Sequence, residues 1–130
     1  MANKKLIMSS FNKKFDEFLG DLVNTFPEDQ DFRNFKNSFN LLKNIDEKKT
    51  MTIFCNYAPM YRDHVLAKNE AFFIENDYAE LANKEKNITG ELISKLKNYW
   101  VQLDETNREV VWKYLIILIT LVDRYVAAPN

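Results

Sequence analysis

The stretch from Val110 to Val122 constrains this chain more than any other part of it. Its thirteen positions are apolar except Lys113 and Thr120. Water penalises such a run, so it must be covered. A membrane-spanning helix needs about 20 apolar residues, and this run stops at Asp123-Arg124. It reads as a hydrophobic helix that other helices enclose, with no membrane span. Thr106 and Glu109 stand three apart just before it, the spacing of a capping box.

The enclosing helices follow from apolar residues recurring every three or four positions. Phe11, Phe15, Phe18, Leu22 and Phe26 form one stripe. Ser9 or Ser10 is the expected N-cap of that helix, and residues 1–8 form a flexible tail ahead of it. Pro27 ends the helix, because the residue before proline is driven out of the helical region. A second helix opens in Glu28-Asp29-Gln30-Asp31, acids suited to the positive end of a helix dipole. Its stripe is Phe32, Phe35, Phe39, Leu42 and Ile45.

Thr50 is the expected cap of a third helix, carrying Ile53, Phe54, Tyr57, Tyr61, Val65 and Leu66. Pro59 lies inside it and predicts a kink or a restart near residues 56–60. Phe72-Phe73-Ile74 reads as a short helical turn. Another helix starts at Asn87 or Thr89, with Leu92, Leu96, Tyr99, Trp100 and Leu103 on its face. Two glycines and three prolines in 130 residues are too few for a turn-rich strand fold. The expected architecture is all-α: one domain, residues 1–130, a compact bundle of five to seven helices around a hydrophobic C-terminal central helix.

Composition narrows the function classes. The formal net charge is -1, which gives no electrostatic reason to expect nucleic acid or an anionic membrane. A nucleic-acid partner would need Lys13, Lys14, Arg33, Lys36 and Lys43 gathered on one face. The single cysteine, Cys55, forbids an intramolecular disulfide and favours a reducing, cytoplasmic setting. The N-terminal segment is too weakly apolar for a signal peptide, and Ala2 removes the myristoylation pattern. Asn87-Ile88-Thr89 matches a glycosylation acceptor that has no use without export.

Catalytic chemistry finds no motif. His64 is the sole histidine, so sites needing two are excluded. Cys55 and His64, nine residues apart, fall on opposite faces of a straight helix. The acids Asp63, Glu70, Glu75, Asp77 and Glu80 lack the glycine and the alternating ligands of a calcium loop. No glycine-rich phosphate loop and no zinc spacing occur. The sequence therefore assigns no catalytic, cofactor-binding or metal residue and no small-molecule substrate. An enzyme of unknown type stays open as the third reading, after nucleic-acid association.

The aromatic doublets say more. Phe72-Phe73 and Tyr99-Trp100 place neighbours about 100° apart on a helix, so one of each pair faces the core and the other its edge. Edge aromatics and arginine are enriched at protein interfaces. Tyr61, Arg62, Phe73, Tyr78 and Trp100 are the interface candidates on this basis. The leading expectation is a non-enzymatic interaction or structural module that binds a protein partner or a second copy of itself.

Three blocks carry a resemblance. They are Phe15-x-x-Phe18-Leu19-x-Asp21-Leu22 ending in Phe26-Pro27, then Tyr61-Arg62-Asp63 with Glu70-x-Phe72-Phe73, then Leu96-Lys97-x-Tyr99-Trp100 with Trp112-Lys113-Tyr114. Together they resemble small helical proteins of unassigned role from nucleocytoplasmic large DNA viruses. The resemblance implies a viral accessory or virion-associated protein made in the host cytoplasm. It transfers no catalytic residue.

Overall fold

A computed structural model describes residues 3–75 and 88–129, without the side chains of residues 88–90. Among the described residues six α-helices follow in order: α1 Lys4–Thr25, α2 Gln30–Ile45, α3 Lys49–Leu66, α4 Glu70–Glu75, α5 Ile88–Tyr99 and α6 Glu105–Ala127. A 3₁₀ turn, Trp100–Gln102, joins the last two. No strand occurs among the described residues.

The first helix begins six or seven residues earlier than its serines predict. Asn3 is the N-cap, its side chain accepting from the amide of Leu6 at 3.0 Å. Ser9 and Ser10 lie inside the helix and face solvent. Ile7 and Met8 are buried at 7% and 5% exposure, so residues 4–8 are core-bearing helix and not a tail. The ammonium of Lys4 donates to the carbonyl of Tyr125 at 2.8 Å and lies 4.5 Å from the Tyr125 ring centre. A cation there suits the negative end of α6.

Two further starts differ from the sequence expectation. Asp104, and not Thr106, caps α6 by accepting from the amide of Asn107 at 2.8 Å. An aspartate caps better than threonine, so the helix starts earlier and the capping box is not used. Helix α3 starts at Lys49 with no side-chain cap, and Thr50 is buried within it. It runs unbroken through Pro59, which excludes a restart.

Helix α6 is the centre of the bundle. It packs along both α1 and α3, while α1 also lies on α2 and α3, and α2 on α5. Val111, Trp112, Leu115, Leu118, Ile119 and Val122 form its buried side. Phe11, Phe15, Phe39 and Phe54 meet as one ring cluster, with centroids 4.8–6.2 Å apart. Phe73, Trp100 and Trp112 meet edge to face as another, at 5.0–5.9 Å. Each fully buried ring contributes about 2 kcal/mol through the area it removes from water. None of the described helices is long and apolar enough to cross a membrane.

Polar clamps fix the helix pairs. Asp29 caps α2 through the amide of Asp31 and also accepts from Tyr99 of α5 and from Lys95, at 2.9, 2.5 and 2.9 Å. Burial pushes the Asp29 carboxyl up, but these donors outweigh it and hold it below its ordinary range. Arg108 donates to the carbonyl of Trp100 at 3.0 Å and holds the 3₁₀ turn against α6.

Candidate functional site

The corner between α3 and α4 builds the most distinctive feature of the surface. Lys68 adopts a left-handed φ of 53° just past α3. The amide of Asn69 then reaches back to the carbonyl of His64 at 2.8 Å. A residue in this conformation lets the chain turn sharply after a helix. Asn69 next caps α4, its side-chain oxygen accepting from the amide of Phe72 at 3.1 Å. Its amide nitrogen lies 3.1 Å from Nδ1 of His64. The His64 ring stacks flat on Phe72, centroids 3.5 Å apart and planes 4° apart.

That corner walls an apolar cavity of about 80 Å³. Helix α3 supplies Ile53, Phe54, Tyr57, Ala58, Tyr61 and Val65. Phe72 and Phe73 come from α4 and Ile93 from α5, and α6 gives Trp112, Leu115 and Ile119. His64 and Asn69 also line it, yet its accessible wall is almost wholly apolar. A cavity so lined offers water too few partners to hold it. It suits an aliphatic or aromatic group about the size of a leucine side chain.

The sequence candidates divide sharply. Tyr61 is half-buried and lines the cavity. Arg62 stands beside it but turns away to Asp123 of α6, at 2.9 Å, and to Asp63. Phe73 and Trp100 are only 6% and 0% exposed. They are corrected from surface anchors to core: Phe73 is part of the cavity wall, and Trp100 packs behind it at 5.0 Å. In each doublet the partner residue, Phe72 or Tyr99, is the half-buried one. Tyr78 lies outside the described residues.

Sequence reasoning missed Tyr57, Ala58 and Ile93 as members of one site. They come from two helices, α3 and α5, so no one stretch of sequence marks them as neighbours.

Among the described residues no carboxylate and no thiol lines the cavity. Asp63 pairs with Arg62 and Glu70 with Arg108, both at 3.4 Å, and neither carboxylate lines it. The Cys55 thiol is pushed up by burial, which Lys4 only partly offsets; such a thiol holds little nucleophilic thiolate. Among the described residues no three His, Cys, Asp or Glu side chains are grouped to hold a metal ion.

Four of the five basic residues that a nucleic-acid partner would need have neighbours of their own. Lys14 pairs with Glu17 at 3.1 Å and Lys36 with Asp16 at 2.7 Å. Arg33 binds Gln30 and the carbonyl of Pro27. Lys43 lies 5.8 Å from the Phe39 ring. Glu17 and Asp16 thus stand beside two of these bases.

The chain matches no protein-family model, no curated protein and no solved structure. The blocks that carry the viral resemblance are mostly core: Phe15, Phe18, Leu19, Leu22, Leu96, Trp100 and Trp112 are all buried.

Proposed function

We propose that this protein is a non-enzymatic binding module whose apolar cavity receives one bulky apolar side chain from a helix of a protein partner. The cavity is the observation that carries the reading. Its walls are aliphatic and aromatic, its accessible lining is almost wholly apolar, and no carboxylate lines it among the described residues. Such a pocket suits a buried apolar anchor residue. Grooves between helices commonly accept such anchors from amphipathic partners. The viral setting and cytoplasmic location belong to the same proposal. They rest on the resemblance and, for the location, on the lone cysteine.

The test fills the cavity. Ala58→Leu adds about the volume that is free and leaves the surface unchanged. Tagged wild-type and A58L proteins are incubated with extract of the source cells, and bound proteins are identified by mass spectrometry. The reading expects a protein that wild type retains and A58L does not, at equal amounts of folded bait. Direct titration of that protein, once purified, should reproduce the difference. Identical sets of bound proteins would remove the cavity as the site.

A further inference from the structure

The carboxamide of Asn69 serves two helices at once, and this fixes the state of the His64 ring. Its oxygen accepts from the backbone amide of Phe72 at 3.1 Å. A backbone N–H only donates, so the end of the carboxamide that faces His64 is its nitrogen, also a donor. Nδ1 of His64, 3.1 Å away, is therefore the acceptor. An imidazole that accepts at Nδ1 is neutral and carries its hydrogen on Nε2.

A proton added to Nδ1 meets the hydrogens of that same carboxamide. Asn69 can answer only by turning its oxygen to the ring, where the bond to a cation is the stronger one. Its nitrogen then faces the Phe72 amide, and the first turn of α4 loses its cap. Phe72 and Phe73, which α4 contributes to the cavity wall, stand in that turn. The stack of His64 on Phe72 does not oppose the change, because an aromatic face also attracts a cation.

We infer that His64 and Asn69 form a proton-operated latch on the cavity, which holds the α4 wall while the ring is neutral and frees it when the ring is protonated. Histidine is the side chain whose charge changes between about pH 5 and 8. His64 lies in the last turn of α3, where the helix dipole favours a cation. The charged groups around the corner are engaged with one another: Asp63 with Arg62, and, across to α6, Lys68 with Glu109 and Glu70 with Arg108. Among the described residues no Asp, Glu, Lys or Arg of any helix lines the cavity. Tyr57 and Tyr61 do line it, and phenols keep their protons throughout that range. For the anchor residue proposed above, the latch means retention in neutral solution and release in weakly acidic solution. That consequence rests on the cavity being the binding site; the latch itself does not.

Nuclear magnetic resonance on the full isotope-labelled chain tests the latch, and the sole histidine makes the ring signals unambiguous. Long-range proton–nitrogen spectra at about pH 8 should show the ring hydrogen on Nε2. As the solution is taken to about pH 5, the indole N–H signals of Trp100 and Trp112, on which Phe73 packs, should shift with the midpoint of the ring. Asn69→Asp keeps an acceptor for the Phe72 amide and offers its second oxygen to Nδ1. In that variant the ring hydrogen should move to Nδ1, and the indole signals should lose their step. A wild-type ring with its hydrogen on Nδ1 overturns the proposal. So do indole signals that stay still while the ring titrates, or an N69D ring that keeps the wild-type tautomer. None of these signals involves a partner, so they read the same whether or not A58L loses one.

Discussion

Tyr114 on the last helix donates its phenolic hydrogen to Asp21 on the first, at 2.5 Å, across 93 residues of chain. The ring also stacks on Phe18, centroids 5.0 Å apart. Burial and the adjacent carboxylate push the phenol up to about 12. The neutral phenol is therefore the form the fold favours. Its stabilising contribution is complete below the ordinary value of 10.0 and fades as pH rises through about 12. Ultraviolet titration should show one tyrosine ionising last, and Tyr114→Phe should abolish that step. The variant should lose about 1 kcal/mol in urea unfolding at neutral pH, a deficit that closes as the solution becomes strongly alkaline.

Asp29 governs the acid side. Its folded carboxyl lies below the ordinary 3.8, so its contribution is complete above that value and disappears as pH falls through the folded one. Asp29→Ala removes both the cap and the acceptor for Tyr99 and Lys95, and should cost about 2 kcal/mol at pH 7. Asp29→Asn still caps and should cost about half as much. Both variants should show a shallower loss of stability below pH 4 than wild type. Thermal unfolding across pH 2–7 measures all three.

Filling the cavity should stabilise the fold as well as block the partner. Ala58→Leu is expected to add about 1 kcal/mol and raise Tm by several degrees. A loss of stability would show that the walls leave no usable space.

Trp100 is a packing residue. Trp100→Ala should cost about 3–5 kcal/mol, since the ring is fully buried between Phe73 and Trp112. Its indole nitrogen has no hydrogen-bond partner, so Trp100→Phe should cost markedly less. Guanidinium unfolding separates the two.

Ile7 tests the early start of α1. In a tail, Ile7→Ala would change nothing. In the buried position it occupies, the substitution should cost about 2–4 kcal/mol in the same assay.

What the sequence disclosed follows from which forces act locally. The stripe Phe11, Phe15, Phe18, Leu22 was legible because every member is apolar and regularly spaced. Asn3 was hidden behind Ser9 and Ser10, two better-looking caps. Only the docking of Ile7 and Met8 on the core, together with the reach of Lys4 to Tyr125, makes the earlier start preferable. Asp104 and Thr106 competed in the same way, and the stronger capper won. Within each aromatic doublet the split between core and edge was readable, but not its sense. Phe73 is inside and Phe72 at the edge because Trp100 and Trp112 stand where Phe73 points, and those rings come from distant elements. The cavity was invisible for the same reason: four helices build it, and no single segment encodes it.

The grip of Lys4 on Tyr125, 121 positions later, has a consequence for how the protein is made. The terminal helix is the chief support of both α1 and α3, and it is synthesised after both. Until it leaves the ribosome, the phenylalanines of the leading segment lack their principal cover. The nascent polypeptide must pass through a sticky interval in which chaperones have something to hold. Docking of this helix on α1 closes a large loop at once.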